Sequence, residues 1–393
     1  MKKTISIILA AVMLAGCAKT PENVKSSSAA ESSVGGSQVQ SSAAEKKQLS
    51  MTMTEKDFAA CTADSKSVIL AGSYDNLKID PDFRVIANAY PMSYQAVVPS
   101  DYDKYADQLF SLFLPDDTQG YYKDKKQLHT DENTGVRSYE YTNGKSTGFV
   151  SSNGCVSIVD NEYMNKAVYG SSSPVNETRN LLMPVTSDTL PLGTASIDLR
   201  DAQHKTAETL ALLFTPVNER SKVDCKFDHQ LYSVSTVTEQ SGETLAFVHC
   251  RQTVNGVPVF DTISRHGQFD TMPVYSGPVA AINAKGDVVQ INNSLNFNIS
   301  SAEKPHELLT AEYAFETASK ALAPHLDHTA RFEELVLVPT VSASEEGSVD
   351  LKQGDTFTLT PYWVIHFETD WWAEVYAAVN AVTGEVRYVS NRG

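Results

Sequence analysis

The chain has 393 residues, of which 41% are hydrophobic, and its formal net charge is −16. An acidic surface of this kind disfavours binding to nucleic acid and electrostatic attachment to anionic lipid. About 340 residues follow the N-terminal segments described next, which is enough for two or three domains.

The N-terminal segment has the pattern of a bacterial export signal. Two lysines precede an apolar run from Ile5 to Ala15, which is too short to cross a bilayer as a helix of about 20 residues. The sequence Leu-Ala-Gly-Cys at 14–17 resembles the lipobox of bacterial lipoproteins. That resemblance implies removal of residues 1–16 and attachment of a diacylglycerol thioether to Cys17. An ordinary cleaved signal peptide with an incidental cysteine is the alternative.

Residues 17–50 are rich in serine, alanine, glycine and glutamine and contain very few large apolar residues. Such a segment cannot bury enough surface to offset its chain entropy, and it is typical of a flexible tether. Together with the lipidated cysteine, it predicts a protein anchored by lipid on the extracellular face of the cell membrane.

Three amphipathic helices are predicted downstream, over residues 100–115, 198–216 and 310–324. Asp198 is a suitable N-cap for the second helix, and each helix is expected to end at or before a proline. Runs of short strands with Asn-Gly turns follow each helix.

This order predicts the α+β class, with repeated modules of one helix packed on a small antiparallel sheet. The predicted modules cover residues 51–190, 191–300 and 301–393. An internal repeat supports the scheme, because AAINAKGDV at Ala280–Val288 and AAVNAVTGEV at Ala377–Val386 match at nearly every position.

The motifs CRQTVNGVPVF (Cys250–Phe260) and PYWVIHF followed by YAAVNAVTGEV (Pro361–Val386) resemble the FTP and PepSY propeptide modules of thermolysin-type metalloproteases. The resemblance covers roughly residues 198–389. It implies modules that inhibit or chaperone a protease. Other members stand alone in secreted or lipid-anchored proteins, including extracytoplasmic regulators of a cell-wall sensor kinase. The chain is similar to such stand-alone lipoproteins of Gram-positive bacteria, without a protease domain.

Catalytic and metal-binding motifs are mostly missing from the sequence. A zincin requires His-Glu-x-x-His, but the string that begins at His306 has Thr310 at the second ligand position. A set formed by Cys225, His229, His249 and Cys250 is also unsuitable for a metal, because adjacent residues of a strand point to opposite faces. We therefore predict no catalytic residue, no metal and no cofactor.

The four cysteines after Cys17 are expected to lie outside the cytosol, where a disulfide can persist. Spacing does not fix the pairing; Cys225–Cys250 is the one bridge considered, and buried free thiols are the alternative. Three acidic pairs, at 116–117, 131–132 and 345–346, are expected in loops as solvated charge.

Trp371 and Trp372 lie where the chain should reverse between two strands, and adjacent side chains there cannot easily share one core. We expect at least one of them to be exposed and to contact a partner. The sequence thus predicts a non-catalytic, lipid-anchored extracytoplasmic protein that acts by protein–protein contact on a protease or a cell-envelope sensor. The alternatives are a cell-envelope hydrolase that uses loop carboxylates and a solute-binding lipoprotein.

Overall fold

The structure is a computed structural model of the chain. It describes residues 50–74, 77–113, 126–142, 144–163, 175–183, 187–238, 242–260, 277–293, 296–322, 328–341, 351–368 and 375–390. The predicted signal peptide and most of the predicted tether lie outside these ranges.

The helices of the described ranges are α1 (Phe58–Ala71), α2 (Ala106–Phe113), α3 (Leu199–Arg220) and α4 (Ala311–Leu322), with a 3-10 turn at Tyr102–Tyr105 before α2. The three predicted helices are present as α2, α3 and α4. Asp198 caps α3 as predicted, since its Oδ1 accepts the N–H groups of Arg200 and Asp201 at 2.8 and 3.1 Å.

One expectation about the helices was wrong, and one helix was not expected. α3 continues beyond Pro216 to Arg220, because a proline removes one hydrogen bond and can kink a helix without ending it. α1 was not predicted at all. Its buried residues are Phe58, Ser65 and Ile69, so its inner face carries too few apolar side chains to produce a clear helical period.

Strands are numbered in chain order. The first eleven are β1 (Thr52–Met53), β2 (Leu77–Ile86), β3 (Ser93–Val97), β4 (Gln127–Thr130), β5 (Arg137–Thr142), β6 (Ser146–Ser151), β7 (Val156–Asp160), β8 (Val175–Asn180), β9 (Thr189–Leu192), β10 (Ala195–Asp198) and β11 (Phe227–Thr238). The other ten are β12 (Thr244–Val254), β13 (Val257–Pro258), β14 (Val279–Ile282), β15 (Val288–Asn293), β16 (Asn298–Glu303), β17 (Leu308–Leu309), β18 (His328–Thr340), β19 (Thr356–Phe367), β20 (Val375–Asn380) and β21 (Val386–Ser390).

Most of these strands belong to two large sheets. The ten-stranded sheet has the order β4-β5-β6-β7-β15-β14-β12-β11-β8, with β13 paired to β12. The seven-stranded sheet has the order β16-β3-β19-β18-β2, and the β20–β21 hairpin pairs with β19. Val259 forms an isolated parallel bridge with Leu337, which joins the chain after β13 to β18. Residues Ser50–Asn391 form one compact unit.

The predicted α+β class of small repeated modules is wrong. Strand accounts for 49% and helix for 19% of the structure, and the strands form large shared sheets. The predicted local hairpins do form, but their edges pair with strands from distant parts of the chain: β7 pairs with β15, and β2 runs parallel to β18. An unpaired strand edge exposes backbone donors and acceptors, and pairing between edges satisfies them.

The sequence predicts that PYWVIHF pairs with VYAAVNA as a hairpin, and that Trp363, Ile365 and Phe367 share one face and pack beneath the third predicted helix against Ala314, Phe315 and Ala318. This prediction for the β19–β20 hairpin is confirmed. His366 pairs with Tyr376 and Tyr362 with Asn380 in antiparallel register. One face of β19 carries Trp363, Ile365 and Phe367, which lie in the same core as residues of α4. The α4 members of this core include the three predicted ones, Ala314, Phe315 and Ala318. The two-residue period of a strand thus located this core from sequence.

The two copies of the internal repeat form hairpins with the same turn chemistry. In the β14–β15 hairpin the side-chain Oδ1 of Asn283 accepts the N–H groups of Lys285 and Asp287. In the β20–β21 hairpin Asn380 Oδ1 accepts those of Val382 and Thr383. Each turn also contains a glycine with positive φ, at 79° for Gly286 and 78° for Gly384. The repeat therefore encodes a turn; the first copy lies inside a sheet and the second at an edge.

Candidate functional site

The residues predicted for lipidation and partner contact, Cys17, Trp371 and Trp372, lie outside the described part of the chain. The strands on either side of the tryptophan pair, β19 and β20, do pair as predicted. The two tryptophans therefore belong to the connection between these strands, and their contact role stays a prediction.

The cysteine–histidine set does not converge. His249 pairs with Ser233 and Cys250 with Leu231 along β12, so their side chains point to opposite faces. Burial lowers the pKa of His249 to about 4 and raises the pKa of the Cys250 thiol. No group of three or more potential ligands among the described histidines, cysteines and carboxylates is arranged to hold a metal ion.

No disulfide joins the described cysteines, Cys61, Cys155, Cys225 and Cys250. The considered Cys225–Cys250 bridge is therefore not formed. Burial raises the pKa of Cys155 to about 11, and it also raises that of Cys225. Such thiols are poor nucleophiles at neutral pH, because the thiolate is the reactive form.

Among the predicted acidic pairs, Asp131 has a local structural role. Its Oδ1 accepts the N–H groups of Asn133 and Thr134 at 2.8 and 3.2 Å, which lowers its pKa. This is a turn-stabilising arrangement rather than a pair of acid–base carboxylates. The pairs at 116–117 and 345–346 lie outside the described residues. His306 is an exposed loop residue, 3.8 Å from Glu307, as predicted.

The main concentration of charge inside the described core is a triad that the sequence did not predict. Arg251 of β12 donates two hydrogen bonds to Glu334 of β18, at 2.8 and 2.7 Å. His366 of β19 lies 2.8 Å from the same Glu334 carboxylate through its Nε2 atom. The side chains of Arg251 and Glu334 are 1% and 0% exposed, so the pair is shielded from water.

Polar and aromatic neighbours complete the environment of the triad. Arg251 also donates to Gln230 Oε1 at 2.6 Å, and its guanidinium lies 4.6 Å from the centroid of the Tyr232 ring. Phe332 stacks on the His366 ring at 4.2 Å and an interplanar angle of 14°. Arg251 belongs to the ten-stranded sheet and its partner Glu334 to the seven-stranded sheet, so the triad links the two.

Electrostatics in the triad favour the charged form of Glu334. Burial by itself raises the pKa of this carboxyl, but the Arg251 charge and the His366 contact outweigh burial and hold the pKa well below its ordinary value of 4.5. The carboxylate is therefore ionised and fully engaged. A substrate has no access to a group with this burial, which favours a structural role over catalysis.

The adjacent carboxyl, Glu333, lies on the opposite face of β18 and has no such compensation. It is 0% exposed, and neither of its oxygens has a hydrogen-bond partner among the described residues. Burial, together with the nearby carboxylate of Glu312 on α4, raises its pKa well above 4.5. Glu312 itself accepts a hydrogen bond of 2.6 Å from Ser65 of α1. Burial and the same acidic groups raise the pKa of Tyr74 to about 12.

The sequence contained a signal for both carboxyls that the motif search did not use. FEELVLV in β18 places two adjacent glutamates at the start of an otherwise apolar run, and CRQTV in β12 places one arginine in another. A charge inside a buried strand requires a partner or a proton.

Two cavities lie away from these groups. One of about 180 Å³ lies on the ten-stranded sheet and is lined by Phe247, Val279, Ala281, Gln290 and Asn292. The other, of about 350 Å³, is lined by Val97, Lys104, Lys222, Asn298, Ile299 and Ser300. Neither contains a residue of the triad or Glu333. No helix in the ranges covered by the structure is long and apolar enough to cross a membrane.

Comparison with known proteins shows the fold alone. No protein-family model matches the chain, and no match was found among curated proteins. A solved structure, that of an uncharacterized protein from Eubacterium rectale, is similar, with a TM-score of 0.55 and 12% sequence identity. The similarity covers 80% of this chain and 92% of the other. A similar fold therefore also occurs in an experimentally determined protein.

Proposed function

We propose that this protein is a lipid-anchored extracytoplasmic protein that acts by contact with another protein and not by catalysis. The anchoring part of the proposal rests on the Leu-Ala-Gly-Cys sequence at 14–17 and on the serine-rich segment that follows it. A lipid at Cys17 with a tether of this composition would hold the folded region just off the membrane.

The non-catalytic part of the proposal rests on how the charged side chains are used. Inside the described core, the charged side chains of Arg251 and Glu334 are hydrogen-bonded to each other, and His366 contacts the same Glu334 carboxylate. An acid–base catalyst must come within hydrogen-bond reach of its substrate, which this burial prevents. This sealed triad is the observation that carries the proposal.

The contact part rests on the connection between β19 and β20, which contains Trp371 and Trp372. Tryptophan is enriched at the energetic centres of protein interfaces, because it buries a large area at low entropic cost. The adjoining strands, β19 and β20, are fixed by the hydrophobic core beneath them, so both ends of the connection are anchored to rigid strands. We infer that the partner is a protease or the outer domain of an envelope sensor, in line with the propeptide resemblance of the sequence.

The anchoring is tested in a Gram-positive host by fractionation and metabolic labelling with a fatty-acid analogue. The parent protein should fractionate with membranes and carry the label, whereas Cys17→Ser should be unlabelled and either released or retained as the precursor. Membrane retention of the substituted protein at the parent level would contradict the proposal.

The contact is tested by cross-linking on intact cells, followed by reconstitution with the purified partner domain. Replacing both Trp371 and Trp372 by serine should weaken that binding by at least tenfold, with the unfolding midpoint nearly unchanged. A matched control is Leu128→Ser, which removes a hydrophobic side chain that is 52% exposed on β4. Equal binding by both variants would contradict a contact made by the tryptophans.

Hydrolysis of cell-envelope material by the purified parent would instead favour the hydrolase alternative.

A further inference from the structure

Glu333 occupies a position where a carboxylate is poorly tolerated. Its register partners on the two neighbouring strands are Ile365 of β19 and Val85 of β2. It shares its face of β18 with Leu335, which packs in the core beneath α1 and α4. Because both of its oxygens lack a hydrogen-bond partner, nothing in this environment replaces the water that an ionised carboxylate would lose.

The groups that face Glu333 add repulsion rather than compensation. Lys320 of α4 is exposed and pairs with Glu316, and Lys66 of α1 is partly exposed. The titratable residues that pack in the core on this face, within the described ranges, are Glu312 and Tyr313 of α4, Cys61 of α1, and Tyr74. None of them carries a positive charge. Glu312 is buried, and it is held in place by Ser65 of α1 through the 2.6 Å hydrogen bond. This bond fixes α1 and α4 to each other directly above the strand.

We propose that Glu333 is a proton-binding site that fastens the helix pair α1 and α4 to the seven-stranded sheet. The carboxyl holds a proton while the helices are docked, and it releases that proton to solvent when they separate from the sheet. This site is independent of the proposed function, since it depends only on the contacts of β18 with the two helices.

The direction of the pH effect follows from proton linkage. The pKa of Glu333 in the folded protein is raised above the ordinary value of 4.5, so the folded state binds a proton that the unfolded state has lost. This contribution to stability is complete below pH 4.5 and decreases as pH rises towards the folded pKa. In that window the equilibrium constant for opening should increase about tenfold for each pH unit.

The test uses the full chain in detergent micelles and compares the parent with Glu333→Gln, a neutral side chain of the same shape. Amide hydrogen exchange, corrected for the intrinsic effect of pH, is measured for α1 and α4 from about pH 5 to about pH 9. In the parent, protection of both helices should fall about tenfold per pH unit until the pH reaches the folded pKa of Glu333, whereas protection of β12 should change less. In Glu333→Gln this slope should be lost.

Infrared spectroscopy supplies a second readout that does not depend on stability. At about pH 6, where carboxyls of ordinary pKa are ionised, the parent should retain the band of a protonated carboxylic acid, and Glu333→Gln should lack that band. The matched control is Glu316→Gln, an exposed glutamate of α4 that should keep both the slope and the band. Absence of the band in a folded parent, or the same slope in the parent and Glu333→Gln, would overturn the proposal.

Discussion

The two faces of β18 place adjacent glutamates in opposite electrostatic environments. Glu334 points towards the ten-stranded sheet, where the Arg251 guanidinium and the His366 ring engage its carboxylate. Glu333 points towards α1 and α4, where the nearest charge is another carboxylate, that of Glu312. Both are fully buried, so burial alone does not determine whether a carboxyl is charged. The groups placed opposite each carboxyl decide it.

This difference divides the molecule into two kinds of contact. The contact between the sheets includes an ion pair, whose geometry is specific because Arg251 binds both oxygens of Glu334. The contact of the helices with the seven-stranded sheet is apolar, and burial together with Glu312 raises the pKa of the carboxyl inside it, Glu333. The contact between the sheets should weaken as pH falls, and the contact of the helices with the sheet should weaken as pH rises. The following predictions are ordered from the largest expected effect to the smallest.

Glu334→Gln should have the largest effect, because it leaves the buried Arg251 charge without its partner. Removing one member of a buried ion pair typically lowers the free energy of unfolding by about 3–5 kcal/mol. Urea unfolding at neutral pH measures the change. The control is Glu140→Gln on β5, whose side chain is 42% exposed and should shift stability by less than about 0.5 kcal/mol.

A compensating variant sharpens this prediction. Replacing Arg251 by Met together with Glu334 by Leu removes both charges and should recover most of the lost stability, because an apolar pair of similar volume is often neutral or stabilising. If the single and double variants were equally unstable, the loss would come from packing and not from the uncompensated charge.

Ser65→Ala tests the helix side. The hydroxyl donates to the Glu312 carboxylate inside the core, and a hydrogen bond to a charged group contributes about 1.5–3 kcal/mol. We expect a loss of that size in urea unfolding, with faster amide exchange in α1. Ser67→Ala, at an exposed position of the same helix, is the matched control. A loss no larger than that of the control would show that Glu312 does not depend on Ser65.

Arg331→Met should have the smallest effect, although it removes two ion pairs from the same strand. Arg331 lies 3.1 Å from Asp80 and 3.0 Å from Glu368, but its side chain is 37% exposed. Exposed pairs contribute about 0–1 kcal/mol and are screened by salt. The loss should therefore stay below about 1 kcal/mol and diminish at high ionic strength. A loss of stability as large as that of Glu334→Gln would show that burial does not explain the difference between the two ion pairs.

Local periodicity predicted the parts of this fold that depend on neighbours in sequence. Alternation in WVIHF placed Trp363, Ile365 and Phe367 on one face, and the repeat identified the turns that Asn283 and Asn380 close. The sheets could not be predicted in this way. The parallel pairing of β2 with β18 joins residues far apart in sequence, and no local pattern distinguishes one unpaired edge from another.

The charged residues of the core were only partly predictable for the same reason. Alternation in FEELVLV places Glu333 and Glu334 on opposite faces, but it does not tell which face meets a cation. Arg251 lies 83 residues away in sequence, on a strand of the other sheet. The compensation of one glutamate and not the other is therefore a property of the tertiary pairing.

The central claim is tested most directly by following the side-chain carboxyl carbons of glutamate in the ¹³C-labelled full chain by NMR as pH is varied. Signals are assigned by their loss in Glu333→Gln and Glu334→Gln. We predict that Glu333 titrates well above 4.5, because of burial and Glu312, and that Glu334 titrates well below it, because Arg251 and His366 outweigh burial. Titration of both carboxyls near the ordinary value, or in the reverse order, would contradict the account.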